Sequence, residues 1–259
     1  MPVSVPASYV ALAERLADAA GPVIARHFRT RVEIDDKDDA SPVTIADRQA
    51  EERMRAILEA EVPDHGILGE EYGTVRADAE WVWVLDPVDG TRAFITGMPI
   101  FGTLIGLCHR GRPVLGIIDQ PILRERWLGY AGAQSTLNGR PIATRACTSL
   151  ANAYLYSTAP AMFTDSLAPR HEKLARVVKN LRWGGDCYAY GLCALGHVDL
   201  VVEASLKQYD YAALGPVIEG AGGVCTDWAG KPLDLDSDGT IVAAGDRRLH
   251  ALALETLAG

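Results

Sequence analysis

Residues 81–94 read Trp81-Val-Trp-Val-Leu-Asp-Pro-Val-Asp-Gly-Thr-Arg-Ala-Phe94. An apolar, strand-forming run ends abruptly in Asp86, Pro87, Val88, Asp89, Gly90 and Thr91. A strand this apolar has to end against a core or a cleft, so its C-terminal end brings two carboxylates to one place. The chain then turns at Gly90 into a short helix whose first N–H groups lack intrahelical partners and suit an anion. Carboxylates bind hard cations such as Mg²⁺. Asp-Pro and Asp-Gly are also ordinary turn chemistry. Two carboxylates held together nevertheless repel each other unless a cation lies between them. Adjacent metal and phosphate sites point to metal-assisted phosphoryl chemistry.

Upstream, Tyr9, Leu12, Leu16, Ala20 and Val23 recur at helical spacing and predict an amphipathic helix over 8–29. A second helix is expected from Ser41-Pro-Val-Thr44 to about Ala60, with Thr44 and Asp47 spaced as a capping box. Strand-like runs at 66–69, 81–85, 101–108, 113–119 and 126–130 are broken by Gly and Pro. They follow one another without helices between them, so this half reads as helices on a largely antiparallel sheet. Beyond residue 150 strands (153–157, 180–183, 198–203, 223–227) alternate with helices (167–179, 187–196, 211–221), the rhythm of an α/β unit. The fold class is therefore mixed, α+β in 1–150 and α/β in 151–259, with a cleft between two subdomains and no low-complexity linker.

The 259 residues carry 34 acidic and 25 basic side chains, a formal charge of −9, with 48% hydrophobic residues. No Lys/Arg cluster supports nucleic-acid binding. No apolar run approaches a membrane span or follows a basic n-region. Cys108, Cys147, Cys187, Cys193 and Cys225 form no CxxC pair and read as small hydrophobes in a reducing compartment, so a cytoplasmic protein is expected.

Glu70 in Gly69-Glu70-Glu71, Asp47 and Asp210 each have a plain explanation when taken singly: a solvated loop, an N3 capping carboxylate and an N-cap. Together they gain weight, because a two-metal site needs three or four carboxylates from separate segments. Other matches fail. Asp234-Leu-Asp236-Ser-Asp238-Gly239 lacks the Glu that completes an EF-hand, since Gly245 stands there. Gly220-Ala-Gly222 meets Cys225 where a dinucleotide fingerprint needs Gly, and His171-Glu172 lacks the second His of a zinc-protease motif. No P-loop is present, which disfavours ATP as a phosphoryl donor.

Gly69-Glu70-Glu71, Leu85-Asp-Pro-Val-Asp-Gly-Thr91, Tyr209-Asp-Tyr-Ala-Ala213 and Glu219-Gly-Ala-Gly-Gly223 resemble, in order and spacing, the signatures of the inositol monophosphatase-like Mg²⁺-dependent phosphatases. The resemblance covers nearly the whole chain. Tyr209 stands where that family usually has Trp, and Val88 where it usually has Ile. The resemblance implies a layered αβαβα sandwich, a homodimer, two or three Mg²⁺ ions and inhibition by lithium. It implies that Glu70, Asp86, the Val88 carbonyl, Asp89 and Asp210 bind metal. Asp47 and Thr91, together with Glu70, would activate the attacking water. The Gly90 and Thr91 amides would hold the phosphate, and Glu203 would contact the substrate alcohol.

Where inositol phosphatases usually have small neutral side chains, this chain reads Arg182-Trp-Gly-Gly-Asp-Cys-Tyr188. That stretch is similar to the histidinol-phosphate phosphatases of the family. Asp186 is either another N-cap or an anionic contact for a cationic alcohol. The expected reaction is thus hydrolysis of L-histidinol phosphate in histidine synthesis. Inositol-1-phosphate is the alternative substrate, and a catalytically silent metal-binding regulatory protein the alternative class. A second phosphate on the substrate is disfavoured by Asp186 and Glu203. Whether Arg92, Arg182 or Lys207 enters the pocket is left open.

Overall fold

The computed structural model describes residues 4–30, 34–36, 42–164 and 166–258. Ser41, expected at the start of the second helix, lies outside them. The chain opens with α1 (Ala7–His27), a short antiparallel pair β1 (Ile34–Asp36) and β2 (Pro42–Thr44), and α2 (Ile45–Glu61). Then follow β3 (Gly66–Gly69), β4 (Gly73–Val75), β5 (Trp81–Asp89), α3 (Thr91–Ile95), β6 (Gly102–His109), β7 (Arg112–Gln120), β8 (Glu125–Tyr130), β9 (Thr136–Leu137) and β10 (Arg140–Pro141). The remainder holds β11 (Tyr154–Ser157), α4 (Leu167–Ala175), β12 (Asn180–Trp183), α5 (Asp186–Ala194), β13 (Leu200–Glu203), α6 (Gln208–Tyr211), α7 (Leu214–Gly220), β14 (Val224–Thr226), β15 (Ile241–Ala244) and α8 (Arg247–Ala258).

Strands β3 to β10 form one sheet in the order β10-β9-β8-β7-β6-β5-β3-β4, antiparallel except for the parallel pair β3–β5. The second sheet runs β12-β11-β13-β15-β14 and is parallel around β11. Helices α1 and α2 cover one face of the first sheet, α5 to α7 lie between the sheets, and α4 with α8 cover the outer face of the second. This is the expected αβαβα layering.

Several elements depart from the expectation. The helix expected over 211–221 is two pieces, α6 and α7, because Pro216 has no N–H and its ring would strike the Ala212 carbonyl of a continuous helix. Helix α4 ends at Ala175 rather than at 179. Strands β4, β9 and β10 are too short to show alternation, and α8 was not anticipated. Among the described residues no helix is long and apolar enough to cross a membrane.

Three glycines position the middle layer. Gly106, Gly116 and Gly129 stand directly opposite one another across β6, β7 and β8. A Cβ on Gly116 would lie 1.8 Å from the Ala213 carbonyl oxygen, and one on Gly129 would lie 2.3 Å from that of Pro216. The bare track lets the 212–217 backbone lie flat on the sheet, which brings Asp210 close to the end of β5.

Candidate active site

Strand β5 makes the site possible through an irregularity. Side chains three apart on a regular strand point to opposite faces. Between Asp86 (opposite Leu104) and Asp89 (opposite Gly102) the register with β6 slips by one residue, and this bulge turns both carboxylates to the same side. Thr103 Oγ1 donates to the Pro87 carbonyl at 2.9 Å and holds the bulge. The chain then turns at Gly90, with φ of +84°, into α3.

Asp86, Asp89 and Asp210 place carboxylate oxygens within 4.8 Å of one another, and Asp47, Glu70 and Glu71 form a second such group. Glu70 links the two, since its charge acts on Asp86, Asp210 and Asp47 alike. Burial, followed by repulsion from Glu70, Asp89 and Asp210, holds the Asp86 carboxyl well above the usual range. Burial, then Asp186 and Asp210, does the same to Asp89, opposed by the Cys187 thiol and by its N–H, which donates to Asp89 Oδ2 at 2.6 Å. Asp210 is pushed up to about 7, chiefly by burial. It is the third residue of α6 rather than its N-cap, and it accepts the Lys207 N–H at 2.6 Å. Asp86 Oδ1 and Asp47 Oδ1 are buried without a hydrogen-bond partner. A crowd of raised carboxylates with orphaned oxygens is a hard-cation donor set, and Mg²⁺ fits it.

Asp47 caps α2 as expected: its Oδ2 accepts from the Thr44 N–H (3.0 Å) and Oγ1 (2.5 Å). Burial lifts its carboxyl to about 6. The Thr91 hydroxyl donates to the Val88 carbonyl at 3.1 Å, and no hydrogen bond joins Thr91 to Asp47. The resemblance had implied that these two act together; here each has a nearer partner.

The carboxylate cluster opens into a cavity of about 130 Å³ walled by Asp89, Asp210, Asp186, Glu203, Thr158 and Tyr190, among others. Asp186 is the first residue of α5, not its N-cap, which is Gly185. Its φ of +43° is left-handed, a conformation Asp tolerates better than most residues. Its carboxylate lies over Gly90, where a Cβ would come within 2.9 Å of Asp186 Cγ. Burial raises Asp186 to about 6, moderated by Arg92. Glu203 closes β13, buried, accepting from the Thr158 N–H (2.9 Å) and the Tyr190 hydroxyl (2.8 Å). Burial raises it to about 7 against those two donors. The Arg92 charge thus acts on Asp186, but none of Arg92, Arg182 and Lys207 lines the cavity.

Sequence reasoning missed Glu51. It is fully buried, pairs with Arg55 (2.7 Å) and accepts the N–H groups of Glu71 (2.8 Å) and Tyr72 (3.1 Å). Its Oε1 occupies the space where a Cβ on Gly69 would stand, so Gly69 has to be glycine. Arg55 also donates to the Gly73 carbonyl. One ion pair, with Glu51 buried and Arg55 partly so, thus templates the loop that carries Glu70. The signal was available: Glu51 lies on the apolar face of α2 with Ala50, Met54 and Leu58.

Comparisons with known proteins agree with this geometry. The chain is 50% identical over 258 residues to the "Bifunctional phosphatase IMPL2, chloroplastic" of Arabidopsis thaliana, covering 96% of this chain and 75% of the relative. It is 34% identical to a histidinol-phosphatase of Chlorobaculum parvum over 90% of both chains. The solved structure of an inositol monophosphatase from Zymomonas mobilis superposes with a TM-score of 0.91 at 50% identity, covering 99% of this chain and 100% of that one. The family model "Inositol monophosphatase family" matches residues 6–258. The carboxylates gathered at the bulge of β5 thus sit in a fold and a sequence pattern of one lineage: this chain belongs to the inositol monophosphatase family, and is a phosphatase of that family.

Proposed function

We propose that this protein hydrolyses L-histidinol phosphate to L-histidinol and inorganic phosphate with Mg²⁺. The observation that carries the reading is the cavity wall. Beyond the metal cluster, the two further carboxylates of Asp186 and Glu203 border the space beside Asp89 and Asp210. A leaving alcohol bearing an ammonium and an imidazole would relieve their charge, whereas a neutral polyol would not. Relatives named histidinol-phosphatase, such as the one from Chlorobaculum parvum, support the same reading.

Family members depend on Mg²⁺. Glu70, Asp86, the Val88 carbonyl, Asp89 and Asp210 would hold two or three ions here. Bound there, Mg²⁺ would neutralise phosphoryl charge and make water acidic enough to attack at neutral pH. The chain's own groups do the rest. The Gly90 and Thr91 amides bind the phosphate. Asp47, with one oxygen unpaired and its carboxyl raised to about 6, takes the attacking water's proton, relayed by the Thr91 hydroxyl once the Val88 carbonyl is engaged. Homodimer formation and lithium inhibition belong to the same proposal.

A second reading, inositol-1-phosphate hydrolysis, is favoured by the Zymomonas mobilis neighbour, which is described as an inositol monophosphatase. Phosphate release with Mg²⁺, comparing the two esters, decides. A preference of about a hundredfold in kcat/KM for histidinol phosphate, worth roughly 2.7 kcal/mol, is expected. The opposite preference would overturn the substrate assignment and leave the metal site standing. No turnover of either ester would point to the silent regulatory class.

A further inference from the structure

Glu203 ends a strand, and its side chain has enough rotatable bonds to turn away from the cavity. Two donors from separate segments prevent this. The Thr158 N–H, just after β11, binds Oε1, and the Tyr190 hydroxyl, from the middle of α5, binds Oε2. With one donor on each oxygen, the carboxylate plane is fixed, and each oxygen keeps acceptor capacity for a ligand. Tyr190 is fully buried in the core between the two sheets, a place where Phe would fill the same volume. A buried tyrosine hydroxyl needs a partner, and here that partner is Glu203. Thr158 does double duty, since its Oγ1 accepts the Asp186 N–H at 3.1 Å. The two acids beyond the metal cluster are thereby tied to each other through one residue.

We infer that Tyr190 is a positioning residue for substrate choice: its hydroxyl holds Glu203 facing the cavity, in the orientation that recognises a cationic alcohol. The inference rests on the proposed preference for such an alcohol. The Mg²⁺-loaded full chain is assayed on L-histidinol phosphate and on phenyl phosphate, whose leaving group carries no cation. The variants are Tyr190→Phe, Glu203→Gln and the two combined.

In Tyr190→Phe the ratio of kcat/KM for histidinol phosphate to that for phenyl phosphate falls about tenfold. The loss lies mainly in KM for the cationic ester. In the double variant the ratio is no lower than in Glu203→Gln alone, because Tyr190 acts through Glu203. Equal losses on both esters, or losses that multiply in the double variant, would overturn the inference and leave the hydroxyl a packing feature. Should Tyr190→Phe not fold, Tyr190→Met, which also lacks the hydroxyl and adapts more readily to a buried site, is measured in its place and judged by the same ratio. Wild-type protein with no preference for histidinol phosphate over inositol-1-phosphate would sink the substrate reading and this inference together. A wild-type preference that survives Tyr190→Phe would sink this inference alone.

Discussion

At the scale of single residues, the site is held in tension by its own charges. Asp86 is buried among Glu70, Asp89 and Asp210, all acidic. Asp86→Asn removes one charge while keeping the shape. Without metal the variant melts at a higher temperature than wild type; with Mg²⁺ it loses that advantage and its activity. Loss of this candidate ligand is expected to cost more in kcat/KM than the roughly 10–100-fold typical of an outer partner. A melting temperature unchanged without metal would refute the tension. The same raised carboxyls set a pH dependence. Asp47 and Asp186 rise to about 6, and Asp210 and Glu203 to about 7, from ordinary values of 3.8 for Asp and 4.5 for Glu. The folded chain thus binds protons that the unfolded chain has released. Stability of the metal-free protein is fully present below about pH 4 with respect to these groups. It falls as pH rises to about 7, as denaturant titrations at several pH values would record. Mg²⁺ at a hundred times its Kd offsets the fall by about 2.7 kcal/mol. The candidate ligands Asp86 and Asp89 were legible because Asp, Pro and Gly punctuate the end of β5. Thr158 and Tyr190 were not, because the Glu203 carboxylate they hold lies 45 and 13 residues away in sequence.

At the scale of elements, α2 does more than cover the sheet. Its Glu51–Arg55 pair shapes the turn between β3 and β4, which carries Glu70. Glu51→Ala leaves Arg55 without its partner and two loop N–H groups unsatisfied. A loss of about 3–5 kcal/mol is expected, the usual cost of breaking a buried pair, with a raised Mg²⁺ requirement. Unchanged Mg²⁺ dependence in a folded variant would leave Glu51 a stability residue only. Most strands were readable because Gly and Pro bound them. The α6–α7 break was readable too, had Pro216 been weighed against the helical pattern. The bulge between Asp86 and Asp89 was not, since it depends on pairing with Gly102 and Leu104 of another strand.

At the scale of the whole molecule, the three largest of four buried clusters among the described residues are stacked along the layers, and the middle one joins the two sheets through α5 and α7. The glycine track sets how closely that layer approaches the first sheet. At Gly116 a new Cβ would meet backbone, which cannot swing aside. Gly116→Ala is therefore expected to cost roughly 1–3 kcal/mol by overpacking. Because α6 precedes the displaced segment, Mg²⁺ affinity weakens as well; calorimetric titration of the folded variant checks this. The alternation of elements announced the two kinds of sheet, but their stacking order depended on which faces of α5 and α7 were buried. Those two helices are buried almost all round, so no polar face marked their place.

The candidate ligands come from a loop, a bulged strand and a short helix, spanning residues 70 to 210 in sequence. They meet only when the first sheet, the track and α6 are all in place. The assembled cluster is thus expected to form late in folding and to come apart early in unfolding. A cation that needs every ligand at once finds nothing to grip at the folding barrier. In stopped-flow measurements Mg²⁺ should leave the refolding rate nearly untouched and slow unfolding instead. For this chain the ion would act as a lock turned after the door has closed, setting how long the folded state lasts rather than how quickly it is reached.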